Sequence, residues 1–275
     1  MTLQLFWDRV GAGDPLLLLH GIGSTHDDFT ALRPHLDAHY RVLAPDLPGH
    51  GQSGPLPRRP TIAAITDAIV SDLDELRVPQ VHVVGNSIGA RIALELAVRG
   101  RASSVVAISP SGLNTPVERL HQGLLMSGSR LTLRRLRPLI PAVARSALGR
   151  SALLTGLRSR PWRSSETEAL TVKNGFADAD AFWQMLWWGI IADVPSGLDR
   201  IRCPVILAQG TADLIAVGQT PRYLAGVPTA RFVPLLGAGH APQSDAPDAI
   251  LRLVDQATTA AAAQARSDTA LPATG

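Results

Sequence analysis

The stretch VHVVGNSIGARIALELA, residues 81–97, leaves a chain few ways to fold. Val81, Val83 and Val84 make a short β-branched strand, and Ile88, Ile92 and Leu96 then recur at helical spacing. No loop fits between the two elements. The reversal passes through Ser87, with Gly85 and Gly89 two positions away on either side. A strand that feeds straight into a helix holds its connecting residue in a strained conformation, and small neighbours relieve the crowding. Such a turn thrusts the Ser87 hydroxyl above the carboxyl end of the sheet, where open α/β sheets bind ligands. It also leaves the N–H of Ile88, in the first helical turn, without an intrahelical partner and free to donate to an oxyanion. A glycine-rich strand-to-helix turn with a serine N-cap is the plainer alternative. The flanking strand and helix, and partners elsewhere in the chain, favour the chemical one.

The remaining pattern predicts what surrounds this turn. PLLLLH (15–20) is a continuous apolar run, the mark of a strand buried on both faces. Further strands are predicted at 41–45, 103–109, 204–210 and 230–236, with an edge strand at 3–7 closed by a turn at GAGD. Helices are predicted at 28–38, 61–78, 220–227 and 247–260. Alternation of apolar strands with helices implies an α/β fold with a mostly parallel sheet flanked by helices. Residues 112–195 break the rhythm. They contain no convincing strand, hold ten arginines but one carboxylate, Glu118, over 118–163, and carry Trp162, Trp183, Trp187 and Trp188. They are expected to form a helical insertion. The expected organisation is a core of residues 1–111 and 196–260, a helical cap of 112–195 and a disordered tail of 261–275.

Composition narrows the partners. Hydrophobic residues at 45% support a sizeable core, and a net charge of +3 with no nucleic-acid motif gives no reason to expect nucleic-acid binding. Lys173 is the sole lysine, so the basic residues are almost all arginine. With one cysteine, Cys203, no intramolecular disulfide can form. The four leucines of PLLLLH are far short of a membrane span, and the N-terminus lacks a basic segment followed by an apolar one. The expectation is a soluble cytoplasmic protein without a membrane span; oligomeric state is left open.

A serine hydroxyl needs a general base within hydrogen-bond reach to act as a nucleophile at neutral pH. Of eight histidines, His240 fits best, because GAGHAPQSDAP follows the last predicted strand and projects at the carboxyl edge of the sheet. His20 and His50 look like loop-shaping residues, His82 lies in a strand, and His26, His35, His39 and His121 are expected at the surface. An imidazole in turn needs a carboxylate to hold its tautomer. Asp213, in GTAD after the strand PVILAQG, is the candidate; an Asx turn is the plainer role. Asp193 and Asp199 are weaker rivals, since each precedes that strand.

HGIGS (20–24), DLPGHGQS (46–53), GNSIGA (85–90), and GTAD with GAGH follow one another in an order that resembles the α/β-hydrolase family. The resemblance covers nearly all of residues 3–256. It implies Ser87 as nucleophile, His240 as base, Asp213 as acid, and an oxyanion hole from the backbone N–H groups of Ile22 and Ile88. It implies a lid or cap at 112–195 and no metal or organic cofactor. A serine at the turn, where related dehalogenases carry aspartate, points to acyl chemistry on a small-molecule substrate. GNSIGA resembles the GNSMGG form of ring-cleavage-product hydrolases and of many esterases, departing from it at Ala90. The leading expectation is hydrolysis of a small, largely apolar carboxylic ester. C–C bond or thioester hydrolysis is the alternative within the fold, and a receptor-like ligand binder with little turnover the alternative outside it. The tryptophans are expected mostly to pack the cap onto the core, with an apolar binding wall as the alternative, and the arginines mostly to lie on solvated helix faces, with binding of an anionic substrate as the alternative.

Overall fold

The computed structural model describes residues 5–270. Seven strands form one sheet: β1 (Trp7–Val10), β2 (Pro15–Leu19), β3 (Arg41–Pro45), β4 (Val81–Asn86), β5 (Ala102–Ile108), β6 (Val205–Gly210) and β7 (Ala230–Leu235). Their order across the sheet is β1-β3-β2-β4-β5-β6-β7. Only β1 is antiparallel, pairing Trp7 to Pro45 and Val10 to Val42 at the edge. The leucine run of β2 shows why the sheet is covered on both sides. Leu17 and Leu19 join one core with Ile65, Ile69, Ile92 and Leu96, while Leu16 and Leu18 join another with Phe29, Leu36, Ile250 and Leu253. Alternate side chains of a strand point to opposite faces, so a strand buried on both has no polar position to offer.

Helices α1 (Arg33–His39), α2 (Ile62–Glu75) and α3 (Ile88–Val98) complete the first half. Between β5 and β6 the chain runs through α4 (Pro116–Arg135), α5 (Ile140–Ala144), α6 (Ala147–Leu154), α7 (Glu166–Asp178) and α8 (Phe182–Met185), the last continuing as a π-helical stretch, Leu186–Ile191. The two longest of these begin with capping boxes, Thr115 with Glu118 and Ser165 with Glu168, which satisfy N-terminal donors that would otherwise be orphaned. Helices α9 (Gln219–Gly226), α10 (Pro242–Asp245) and α11 (Pro247–Ala270) follow. Among the described residues no helix is long and apolar enough to cross a membrane.

Three expectations need correction. The edge strand is Trp7–Val10, not 3–7. Residues 5 and 6 are engaged elsewhere, the Phe6 N–H donating to Ser53 Oγ at 2.9 Å and the Phe6 carbonyl accepting from Asp46; residues 3 and 4 lie outside the described residues. The helix expected at 28–38 is split into a short 3₁₀ turn, His26–Phe29, and α1, because Pro34 has no N–H to give and restarts the helix at its first turn. The tail is not disordered over 261–270. The alanine-rich run continues α11, as the strongest helix former favours, and Gln264 reaches back to the Arg202 carbonyl at 3.2 Å. Residues 271–275 lie outside the described residues.

The strand-to-helix turn between β4 and α3 is a backbone crossing. A Cβ on Gly85 would fall within 3.0 Å of the Gly89 carbonyl and the Ala90 nitrogen, and one on Gly89 within 3.0 Å of the Leu19 and His20 carbonyl oxygens. Neither glycine has a positive φ, so what demands them is close approach, not their own dihedrals. Gly89→Ala should therefore cost about 3 kcal/mol of stability, the scale of an overpacked core. Gly128→Ala, in the exposed interior of α4 where an added Cβ meets nothing, should stabilise by about 0.5–1 kcal/mol. Urea denaturation of the two variants measures both signs.

Candidate active site

Ser87 stands at the crossing with φ 57° and ψ −115°, a conformation that costs a non-glycine residue energy. Its N–H donates to the Ile108 carbonyl on β5 at 2.8 Å, and its carbonyl accepts from Arg91 in α3, so the surrounding ladder holds the strain in place. The residue is buried, and it borders a cavity of about 240 Å³ above the carboxyl ends of the strands. His240 and Ile22 line the same cavity.

Asp213 follows β6 and His240 follows β7, so adjacent parallel strands deliver both loops to one edge. His240 Nδ1 lies 3.0 Å from each Asp213 carboxylate oxygen. Burial by itself would push the Asp213 carboxyl up. The charge of His240 and its hydrogen bond, with donation from the Ile215 and Ala216 N–H groups, outweigh that and hold it well below the usual carboxylate range. A permanently ionised Asp213 fixes the proton on Nδ1 and leaves Nε2 as the acceptor. Ser87 Oγ and the His240 ring are not hydrogen-bonded to one another in this structure; the cavity they share is what brings them together. Asp193 and Asp199 lie elsewhere. Asp193 accepts from the Ile62 N–H and pairs with buried Arg91 at 3.3 Å, and Asp199 is exposed.

A family model described as the alpha/beta hydrolase family matches residues 16–253. The chain belongs to that family. Among curated proteins, the dihydrolipoyllysine-residue acetyltransferase component of the acetoin cleaving system of Cupriavidus necator is 35% identical over 175 residues, 62% of this chain and 46% of that protein. The 2-hydroxymuconate semialdehyde hydrolase of Pseudomonas sp. (strain CF600) is 36% identical over 117 residues, 39% of this chain and 40% of that protein. The chain thus spans less than half the length of these curated relatives. Among solved structures, a thermophilic esterase from Thermogutta terrifontis matches with a TM-score of 0.71 at 21% identity over 92% of each chain. A meta-cleavage product hydrolase from Pseudomonas fluorescens IP01 matches with a TM-score of 0.72 at 20% identity over 94% of each chain. At such identities the likeness is one of fold.

In this α/β-hydrolase histidines tie the loop after β2, which lines the cavity, to the loop after β3. His20 donates from Nδ1 to the Gly21 carbonyl at 2.8 Å and accepts from the Leu47 N–H at Nε2 at 2.9 Å, which joins HGIGS to DLPGHGQS. Ile22 sits on the joined loop. The Ile88 side chain is fully buried in the core beneath Gly189, and its N–H stands in the first turn of α3. His26 is not a free surface residue as expected. Its Nδ1 lies 2.8 Å from Asp46, a carboxylate with no exposure that also accepts from the His26 and Gln52 N–H groups. Among the described residues no group of three or more His, Cys, Asp and Glu side chains is arranged to hold a metal.

Some contributors carried no recognisable sequence signal. Asn86, beside the serine, donates to the His240 carbonyl at 2.9 Å and so fixes the histidine loop against β4. Asp245 accepts from the Gly239 N–H and from the Ser159 N–H, each at 2.8 Å, tying that loop to the helical insertion. The tryptophans are a correction. Trp162, Trp183 and Trp187 are exposed and none of them lines the cavity, whereas half-buried Trp188 lies against the Arg59 guanidinium at 4.7 Å; Phe176 is the aromatic on the cavity wall. The arginines divide. Arg130 is buried and donates to the Phe176 and Ala179 carbonyls, Arg158 reaches the cavity, and Arg137 pairs with exposed Asp178.

Burial lowers His20 to about 4 and His50 to about 3, so both rings are neutral at physiological pH. In each case the folded value lies below the unfolded 6.5. Each ring therefore contributes stability that is present above about pH 6.5 and lost as pH falls, at up to about 1.4 kcal/mol per pH unit. NMR of the imidazole carbons should show both rings unprotonated at about pH 5.5.

Proposed function

We propose that this α/β-hydrolase cleaves a small, largely apolar carboxylic ester through an acyl-enzyme on Ser87. The observation that carries the proposal is His240, held by Asp213, bordering the same cavity as a serine held in a strained strand-to-helix turn. Ser87 attacks the ester carbonyl while His240 Nε2 takes its proton. The developing imidazolium is stabilised by ionised Asp213 through Nδ1. The negative charge on the carbonyl oxygen is received by the N–H groups of Ile22 and Ile88; removing one such donor in comparable sites costs on the order of 10²–10³ in rate. His240 then protonates the departing alkoxide, the alcohol leaves, and His240 activates a water that releases the acid and regenerates Ser87. The helical insertion acts as a cap whose Met126 and Phe176 help to form the apolar wall.

Hydrolysis of a C–C bond in a β-diketone-like substrate is the second reading. It uses the same residues, and it is favoured by the similarity to the 2-hydroxymuconate semialdehyde hydrolase. A substrate panel separates the two. Turnover of a dienoate ring-cleavage product without turnover of short 4-nitrophenyl esters would replace the ester reading.

A fluorophosphonate probe should label Ser87 in the wild-type protein and leave Ser87→Ala unlabelled, as read by peptide mass mapping. With 4-nitrophenyl butyrate, Ser87→Ala, His240→Ala and Asp213→Ala should each lower kcat by about 10⁴-fold or more, and the triple variant should be hardly worse than the singles. Full activity in the Asp213 variant would remove that residue from the mechanism.

A further inference from the structure

Lys173, the chain's only lysine, is 7% exposed on α7. Buried ammonium groups are ordinarily paired, because taking a charge out of water is costly. Among the described residues Lys173 has no ion-pair or hydrogen-bond partner. Burial alone acts on it, bringing its pKa to about 8, so it remains mostly protonated at neutral pH. The helix that carries it is anchored at both ends. The capping box starts α7, and Arg130 from α4 grips the end of that helix through the Phe176 and Ala179 carbonyls.

Lys173 lines the same cavity as Ser87 and His240. The other charged groups on that wall are already engaged. Arg158 donates to Ser164 at 2.8 Å and pairs with Glu168, and His240 is held by Asp213; Asp28 accepts from Gln243 at 2.8 Å, and burial pushes its carboxyl up to about 6, against the opposing pull of the Arg158 charge. Much of the rest is apolar, with Val172 and Phe176 beside Lys173 on α7. A buried cation on an apolar wall, unpartnered among the described residues, is complementary to an anion that arrives with the ligand. One ammonium matches one negative charge. A phosphate dianion would leave a second charge uncompensated, whereas a carboxylate would not.

We propose that Lys173 is the counter-charge for a free carboxylate on the substrate, so that the cavity selects esters that also carry a carboxylate group. This rests on the serine-hydrolase reading for the word substrate; recognition of the anion does not depend on turnover, and the test is built accordingly.

Titration calorimetry on Ser87→Ala compares the monomethyl and dimethyl esters of succinate, glutarate and adipate. At least one monoester should bind about tenfold or more tightly than its diester, the scale of a desolvated charge-assisted contact. In Ser87→Ala/Lys173→Met that preference should vanish, and Lys173→Arg should restore part of it. Equal binding of monoester and diester in Ser87→Ala, or a preference that survives Lys173→Met, overturns the proposal. Lys173→Met in the otherwise unaltered chain should also raise the thermal midpoint, since it replaces an unpartnered buried charge with an apolar chain of similar length. A lowered midpoint would reveal a structural partner and likewise overturn it. If instead the hydrolase reading is wrong, Ser87 labelling fails while the monoester preference persists, so the two failures are distinguishable.

Discussion

The close passage of α3 over the ends of β2 and β4 is the constraint from which the rest of the site follows. Two glycines let the backbone of the turn come nearer to the carbonyls of Leu19, His20 and Gly89 than any side chain permits. Ser87, between them, takes the positive φ that neither glycine uses. This inverts the usual division of labour, in which glycine supplies the unusual dihedral. The serine can carry the strain because β5 anchors its N–H and α3 its carbonyl. With the turn placed, the parallel register of β5, β6 and β7 decides where the two following loops emerge, and Asp213 and His240 meet there.

Electrostatics around the cavity are sorted by burial and by partner. Asp213 and Asp46 are both held ionised against the cost of burial, the first by His240 and backbone donors, the second by His26 and backbone donors. His20 and His50, with rings 5.4 Å apart, are neutral because burial outweighs everything else acting on them. The catalytic candidate thus differs from its neighbouring histidines in having a carboxylate against Nδ1 where they have carbonyl oxygens. Lys173 is the exception to the sorting, a charge with burial and no partner.

Much of this was legible in the chain, for reasons that differ by element. The leucine run of β2, the strand-to-helix switch at Ser87 and the periodic α2 carry their burial pattern in residues adjacent in sequence, so local periodicity exposes them. The meeting of Asp213 and His240 is legible because each stands in a loop just after an apolar strand, and parallel strands send such loops to one edge. What was missed is decided by contacts between distant segments. Nothing near His26 announces Asp46, nothing near Asn86 announces the His240 carbonyl, and Asp245 looks like any residue of a polar loop. The tryptophans were misplaced because helical spacing shows that Trp183 and Trp187 share a face without showing which way that face turns. The two capping boxes of the insertion, in contrast, stand in plain sight as TPVE and SETE.

The tether between the histidine loop and the insertion has a mechanical meaning. Residues 157–159 hold the backbone on both sides of His240: the Leu157 carbonyl accepts from the Ala241 N–H, and the Ser159 N–H shares Asp245 with the Gly239 N–H. A swing of that part of the insertion cannot leave the imidazole where it is. Any opening of the cavity by such a swing and displacement of the His240 ring would then be one motion.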